Sequence, residues 1–302
     1  MLGTAPITWG VCEMDGWGDR LPYPRVLAEM RALGFAGTEL GPPGYLPSDP
    51  EALRAVLRDH DLAFVGSFCP IVAPRDRAGA DRAVAETRAL TRFLAAAGGR
   101  YLVLADAGDD ARLAVAGRVG GPGSPILDRD GWRRFAETTE RIGADANSLG
   151  VRAVFHPEAG SYVETESEIE ELLVLTAPEL LGLCLDTGHV AYGGGDPVAL
   201  AQRHAQRILH LHAKDVDPRI LARVRDEGLG YLDAASAGIF VPAGAGQVDF
   251  AGVFAALDLA RSDRWVIVEQ DVRLGVGAVD QDPVANARAS RAHLLQLAER
   301  SA

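Results

Sequence analysis

The chain has 302 residues, of which 48% are hydrophobic and 24% are charged, as in an ordinary globular protein. This composition excludes a disordered chain and a fibre. The net charge of −12 opposes general nucleic-acid binding, which needs a basic surface.

The three cysteines are expected to be inert core thiols, because they are odd in number, lie far apart and form no CxxC pair. Such cysteines fit a reducing compartment, so we expect a cytoplasmic protein. The first ten residues, MLGTAPITWG, do not read as a signal peptide, and no apolar run is long enough to predict a membrane span. The cysteines are Cys12, Cys69 and Cys184.

Short apolar runs alternate along the chain with longer segments of helical period. Strands are predicted over 5–9, 35–40, 62–69, 101–105, 151–156, 181–186, 208–214 and 265–270. Helices are predicted over 23–33, 50–58, 81–97, 128–148, 197–204 and 283–300, with two more that begin at caps at 165 and 249.

Strict alternation of strand and helix implies a parallel sheet, either closed as a (β/α)8 barrel or open and doubly wound. No GxGxxG motif follows an early strand, which disfavours the open dinucleotide-binding form. We therefore predict an α/β protein in which residues 1–302 form a single TIM-barrel domain. The segment of about 217–247 is too long for a simple connection and is predicted to insert a helix and a loop over one mouth, as a lid.

Polar residues follow most of the later predicted strands, where barrel enzymes place their functional groups. Carboxylates supply hard oxygen ligands and imidazole suits Mn, Co, Fe or Zn, so convergence of both types predicts a divalent-metal site. These strand-end residues are Glu39, His156, Glu158, Asp186, His189, His210, His212, Lys214, Asp215, Glu269, Gln270 and Asp271.

Strand alternation places His210, His212 and Lys214 on one face. Asp186 and Glu269 each follow an apolar run, where a carboxylate is costly to bury unless a cation or hydrogen bonds compensate it. The alternative is that each carboxylate merely caps the next helix.

Three further residues are open to a structural interpretation. His210 fits a packed structural histidine better than a functional one. Glu39 fits a capping residue as well as a site residue. Trp9 either forms the floor of a pocket or plugs the barrel.

Five segments occur in register: DTGH at 186–189, YGGGDP at 192–197, HLHAKDV at 210–216, FVPAGAGQVDF at 240–250 and WVIVEQD at 265–271. With APITWG at 5–10 and TELGPPGYLP at 38–47, they resemble the xylose-isomerase-like TIM-barrel superfamily of sugar isomerases, epimerases and dehydratases. Within it they are most similar to the inosose (2-keto-myo-inositol) dehydratases. The resemblance covers most of the chain.

The resemblance implies one divalent metal ion, Mn or Co in the first place and Mg, Fe or Zn otherwise, held by Glu, Asp, His and Glu at successive strand ends. The last three carry over to Asp186, His212 and Glu269. For the first, we assign Glu158 as the ligand and His156 as a substrate contact. The chain departs from its relatives at this point, so the two roles remain interchangeable.

The resemblance also implies dehydration of an inosose to a cyclohexane-dione through an enediolate, a step of inositol catabolism. The base is then Glu269, Glu158 or His156, and the acid for the leaving hydroxyl is His189 or Lys214. Lys214 could instead hold a substrate hydroxyl or the enolate charge. The expected substrate contacts are Trp9, Glu39, His156, His189 and Lys214.

Three other functions are alternatives to dehydration, and each makes its own demand on the residues or on the chemical step. Reprotonation of the same enediolate on another face or carbon gives an epimerase or a ketose isomerase. A non-catalytic sugar-binding barrel would show gaps in the metal set, and a nuclease of the endonuclease IV type needs more than seven histidines and a basic groove. The expected partners are a small cyclitol or ketose and a second copy in a homodimer, with no nucleic acid and no membrane.

Overall fold

The computed structural model describes residues 1–74, 76–121, 123–276 and 281–300. The strands are β1 (Leu2–Thr4), β2 (Gly37–Glu39), β3 (Ala63–Ile71), β4 (Tyr101–Asp106), β5 (Arg152–Phe155), β6 (Gly182–Asp186), β7 (Ile208–Ala213), β8 (Asp215–Val216), β9 (Phe240–Val241) and β10 (Trp265–Val268). The helices are α1 (Tyr23–Leu33), α2 (Pro50–Asp59), α3 (Arg77–Ala97), α4 (Asp110–Leu113), α5 (Arg129–Ser148), α6 (Glu166–Leu175), α7 (Thr187–Tyr192), α8 (Pro197–His204), α9 (Pro218–Glu227), α10 (Tyr231–Ser236), α11 (Phe250–Ala256) and α12 (Pro283–Arg300).

Strands β1 to β7 and β10 form a closed barrel in chain order, with β1 pairing both β2 and β10. Every neighbouring pair in the barrel is parallel. This confirms the predicted (β/α)8 barrel, and it excludes the open sheet because a closed barrel has no edge strand.

Local signals fix several helix ends where the sequence predicted them. Helix α1 ends at Gly34, which adopts the left-handed conformation with φ of 80°. Helix α6 begins with a complete capping box, in which Thr165 accepts from the Glu168 amide and the Glu168 side chain accepts from the Thr165 amide. Helix α3 begins four residues earlier than predicted, because Asp76 caps it by accepting from the Gly79 amide.

The first strand lies earlier than predicted. Residues 5–9 were expected to form it, but the ladder to β10 uses Leu2 to Thr4, and Pro6 to Trp9 form a 3₁₀ helix that ends at Gly10. Pro6 has no amide proton to donate to a strand ladder and its fixed φ suits a helical first turn, which explains the shift.

The segment expected to be an insertion contains α9, α10 and β9, and β9 pairs antiparallel with β8 outside the barrel. Its side chains Tyr231 and Phe240 pack with Tyr192 in an aromatic cluster, with ring centroids 5.7 to 6.3 Å apart. Tyr231 also lines the cavity at the mouth of the barrel, so the segment contributes to the wall of that cavity.

Two apolar layers surround the sheet. Val65, Val103, Cys184 and Ile267 belong to a cluster of buried residues on the barrel strands, and a larger cluster includes the buried faces of the surrounding helices. Across the parts of the chain that the structure describes, no helix has the length and apolarity needed to cross a membrane.

Candidate metal centre and active site

The register of the last strands brings three strand-end residues together. Asp186 at the end of β6 lies opposite His212 on β7, and His212 lies opposite Ile267 on β10. Glu269 follows Ile267 by two residues, so alternation directs both to the same side of the sheet. The barrel therefore gathers the Asp, His and Glu that the sequence singled out.

The side-chain atoms of these residues and of His156 lie close together and are buried. Asp186 Oδ2 is 3.3 Å from His156 Nε2 and 3.9 Å from His212 Nδ1. His212 Nδ1 is 3.2 Å from Glu269 Oε2. One set of three possible metal ligands is His156, Asp186 and His212, and another is Glu39, His212 and Glu269.

The nitrogen at the centre of this group suits a cation. Among the described residues, His212 Nδ1 is buried and has no hydrogen-bond partner, since its contact with Glu269 is short but not directed as a hydrogen bond. Buried polar atoms are seldom left in this state. An imidazole nitrogen beside two carboxylates is a donor set that Mn, Co, Fe or Zn accepts.

The two oxygens of Asp186 serve different groups. Oδ1 accepts from the His189 amide at 2.8 Å and caps α7, whereas Oδ2 faces His156 and Lys214. Burial alone would raise the pKa of Asp186, but Lys214 and the histidines hold it well below its usual value. Asp186 can therefore cap α7 through one oxygen and serve as a candidate metal ligand through the other.

Lys214 lies among three carboxylates. Its Nζ is 2.6 Å from Asp271 Oδ1, 3.3 Å from Glu269 Oε2 and 3.5 Å from Asp186 Oδ2. Burial acts to lower the pKa of Lys214, and these carboxylates raise it well above its usual value. The side chain is thus a buried ammonium group at the edge of the candidate centre.

His189 lies next to this ammonium group, with Nε2 3.1 Å from Lys214 Nζ. Its Nδ1 accepts from the Ala159 amide at 3.2 Å. Burial and the charge of Lys214 lower the pKa of His189 well below its usual value. His189 is therefore a neutral imidazole at the wall of the cavity, and of the two expected acids Lys214 is the one in its cationic form.

A cavity of about 400 Å³ opens directly above this group. Its apolar lining includes Ile7, Val11, Trp17, Phe68 and Tyr231. The charged and imidazole side chains that line it are Glu13, Glu39, His156, Glu158, His189, His212, Lys214, Glu269 and Asp271. A space lined in this way suits a small ligand held by a few polar groups.

Glu158 lines the cavity and is half-buried, but none of the three-residue ligand sets found among the described residues contains it. Burial and the nearby Glu13 raise the pKa of Glu158 well above its usual value. The structure thus brings His156, rather than Glu158, to the side chains of Asp186 and His212.

Two expected site residues, Trp9 and Asp186, are not among the residues that line the cavity, and only Trp9 also lies apart from the candidate metal ligands. Its ring is fully buried in the larger apolar cluster, and its Nε1 donates to Glu29 Oε2 at 2.7 Å. Of the two roles open to Trp9, the structural one fits, because α1 covers the indole. Glu39, in contrast, is a buried member of the site.

The cysteines divide between two places. Cys12 and Cys184 are buried in apolar clusters, as expected, whereas Cys69 is only partly buried; Cys12 and Cys69 also line the cavity. Burial raises the pKa of Cys69 and of Cys184 to about 11. Thiols with pKa values in this range are poor nucleophiles at neutral pH, which supports the expectation that they are inert.

Sequence analysis placed Asp271 among the strand-end residues without giving it a role, and it did not single out Tyr231 or Glu13. Asp271 follows Glu269 by two positions, so the alternation that selected Glu269 was a signal for it as well. Tyr231 lies in the inserted segment and Glu13 in a loop, and neither region has a periodic sequence pattern that predicts a contact with the cavity.

Comparisons with known proteins identify the family of this chain. A family model described as xylose isomerase-like TIM barrel matches residues 27–297. The chain is 34% identical over 274 residues to an inosose dehydratase of Geobacillus kaustophilus, covering 89% of this chain and 87% of that protein. It is 35% identical over 271 residues to the rhizopine catabolism protein MocC of Rhizobium meliloti, covering 88% and 80%.

Solved structures show the same fold at low identity. A structure of L-ribulose 3-epimerase superposes with a TM-score of 0.71 at 18% identity, covering 99% of this chain and 95% of that one. A structure of IOLI protein with a bound zinc atom gives 0.65 at 16% identity, covering 99% and 95%. The predicted family and the predicted similarity to inosose dehydratases are confirmed: this chain belongs to the xylose isomerase-like TIM barrel family.

Proposed function

We propose that this protein is a metal-dependent hydro-lyase that dehydrates an inosose to a cyclohexane-dione, within inositol catabolism. One observation carries the proposal: Asp186 Oδ2 and Glu269 Oε2 lie 3.9 and 3.2 Å from His212 Nδ1, next to a cavity large enough for a cyclitol. The identity of 34% to an inosose dehydratase over most of both chains supports this choice of substrate.

The proposed ligands of the metal are His156, Asp186, His212 and Glu269. His156 takes the first position because its Nε2 lies 3.3 Å from Asp186 Oδ2, and Glu158 then takes the substrate-facing position. This is the interchange that the sequence left open. When bound, a divalent cation would supply Lewis acidity that polarises the ketone of the substrate.

The remaining side chains supply a base and an acid. In the proposed reaction a carboxylate takes the proton beside the ketone, which leaves an enediolate, and the bond between carbon and the β-hydroxyl then breaks. Glu158 suits the base because it lines the cavity, and Glu269 is the alternative. Lys214 suits the acid because the leaving hydroxyl needs a proton to depart as water, and its ammonium faces the cavity.

The test is direct. Metal-free protein is reloaded with Mn²⁺ or Co²⁺ and given scyllo-inosose, and the ultraviolet absorbance of the dione is followed. We expect a metal-dependent rise that is lost in Glu269→Gln and kept in Glu137→Gln, which changes an exposed carboxylate on α5. A protein that binds metal tightly but gives no rise would contradict the dehydratase. Exchange of substrate protons with heavy water would then show an epimerase or isomerase that uses the same base.

A further inference from the structure

Glu39 bridges two histidines in the interior of the barrel. Its Oε1 lies 2.7 Å from His210 Nε2 and 3.2 Å from His212 Nε2, both within hydrogen-bonding distance. Glu39 is 2% exposed, and both imidazoles are buried as deeply. The carboxylate comes from β2 and the histidines from β7, so the barrel joins residues that are 171 and 173 positions apart.

An ionised carboxylate only accepts hydrogen bonds, so the proton of each bridging imidazole lies on Nε2. In His212 this leaves Nδ1 on the opposite side of the ring, towards Glu269 and Asp186. That nitrogen is the one without a hydrogen-bond partner among the described residues.

His210 is itself held in place. Its ring stacks on Tyr101 from β4, with centroids 4.6 Å apart and an angle of 27° between the planes. With this ring fixed, the hydrogen bond from His210 Nε2 restrains Glu39, and Glu39 restrains His212. The three residues form a chain that ends at Nδ1 of His212.

We propose that Glu39 is a positioning residue, which fixes the tautomer and the orientation of His212 so that Nδ1 is presented to the metal ion. The proposal rests on the metal site of the proposed function. It gives Glu39 a role other than the substrate contact expected from the sequence, because its Oε1 is already occupied by two imidazoles. Carboxylates that hold a ligating histidine in this way set its tautomer and its basicity.

Metal affinity tests the proposal without turnover. Binding of Mn²⁺ to metal-free protein is measured by calorimetry and electron paramagnetic resonance for the wild type, Glu39→Gln and Asp186→Asn. We expect Glu39→Gln to weaken binding about 10-fold to 100-fold, as for other residues that support a ligand, and Asp186→Asn to weaken it further. The Co²⁺ absorption spectrum of Glu39→Gln should keep the band intensities of the wild type, because the number of ligands is unchanged.

Asp106→Asn is the matched control. Asp106 is a carboxylate at the end of β4 that is 1% exposed, but it accepts from the amides of Ala73 and Tyr162 instead of from imidazoles. We expect its metal affinity to equal that of the wild type. An unchanged affinity in Glu39→Gln would overturn the proposal. So would a loss as large as that of Asp186→Asn with altered Co²⁺ bands, which would make Glu39 a ligand.

A second measurement needs no variant and does not depend on how Glu39→Gln folds. Nitrogen-15 spectra of histidine in the Zn²⁺-loaded wild type report which ring nitrogen of His212 carries the proton. We expect the proton on Nε2 and the metal on Nδ1, and the reverse arrangement would overturn the proposal. A wild type that binds no metal at all would instead contradict the proposed function, so the two failures are distinguishable.

Discussion

The Tyr231 hydroxyl donates to Asp271 Oδ2 at 3.1 Å, and the other oxygen of the same carboxylate accepts from Lys214 Nζ at 2.6 Å. Tyr231 begins α10 in the inserted segment, whereas Asp271 and Lys214 follow strands of the barrel. All three side chains are buried. The insertion therefore holds the carboxylate that orients the ammonium group beside the candidate metal centre.

The first prediction concerns this hydrogen bond. Tyr231→Phe should lower kcat about 10-fold or more with little loss of stability, because a hydrogen bond to a charged group contributes roughly 1.5–3 kcal/mol and the ring remains. Steady-state kinetics on the metal-loaded enzyme would measure it. Tyr192→Phe is the control: its ring lies 5.7 Å from that of Tyr231, and its buried hydroxyl has no hydrogen-bond partner among the described residues. Equal losses in both variants would contradict the link to Lys214.

The second prediction concerns metal and stability. A ligand at about 100 times its Kd stabilises the folded state by about 2.7 kcal/mol, so saturating Mn²⁺ should raise the Tm by several degrees. Asp186→Asn should fold, because Asn caps α7 as well as Asp does, but its Tm should not respond to Mn²⁺. Calorimetry with metal and with chelator would measure both. A full Mn²⁺ response in Asp186→Asn would remove Asp186 from the ligand set.

Much of the fold was readable because alternating strands and helices leave few arrangements. The same argument found Asp186 and His212, since parallel strands that are neighbours in the chain are neighbours in the barrel. It failed at the first strand, where Pro6 prevents a ladder that the apolar pattern alone allowed.

The choice between His156 and Glu158 could not be read from alternation. Both positions share a face if the strand continues, but β5 ends at Phe155. His156 Nε2 then lies 3.3 Å from Asp186 Oδ2, and both His156 and Glu158 line the cavity. Tyr231 was beyond reach for another reason. Its contact with Asp271 spans 40 residues and depends on how a segment without barrel periodicity folds over the mouth.

The third prediction concerns pH. Glu164 is 1% exposed, and burial raises its pKa from 4.5 to about 7, although the amides of Gly160 and Gly117 donate to it. The native state therefore binds a proton more tightly than the unfolded state does. The stabilisation of the native state by this proton is complete below about pH 4.5 and is lost as the pH rises through about 7. The free energy of unfolding changes by an amount on the order of 3 kcal/mol over this range.

Urea denaturation of the wild type and of Glu164→Gln at pH 5, 6, 7 and 8 would test this. Gln does not titrate, so the free energy of unfolding of the wild type should fall relative to that of the variant as the pH rises. Glu137→Gln, which changes an exposed carboxylate, should show no such trend. A difference between wild type and Glu164→Gln that stays constant over this range would contradict the raised pKa.

The fourth prediction concerns Asp215, the residue that follows Lys214. Its fully buried carboxylate accepts from the amides of Val216, Gly244, Gly246 and Val248, and so fixes the loop after β9. Asp215→Asn replaces one acceptor oxygen by a donor that faces two of these amides. With roughly 1.5 kcal/mol for each lost bond to a charged acceptor, the free energy of unfolding should fall by at least about 3 kcal/mol.

Urea denaturation would measure this loss against Asp249→Asn. Asp249 caps α11 by accepting from the Gly252 amide, and Asn is as good a cap, so this change should cost less than about 0.5 kcal/mol. Losses of similar size in Asp215→Asn and Asp249→Asn would show that the four amides do not depend on the charge. A much larger loss in Asp215→Asn means that the charge of Asp215 holds the loop after β9. Because Asp215 is next to Lys214 in the chain, kcat should then fall together with the free energy of unfolding.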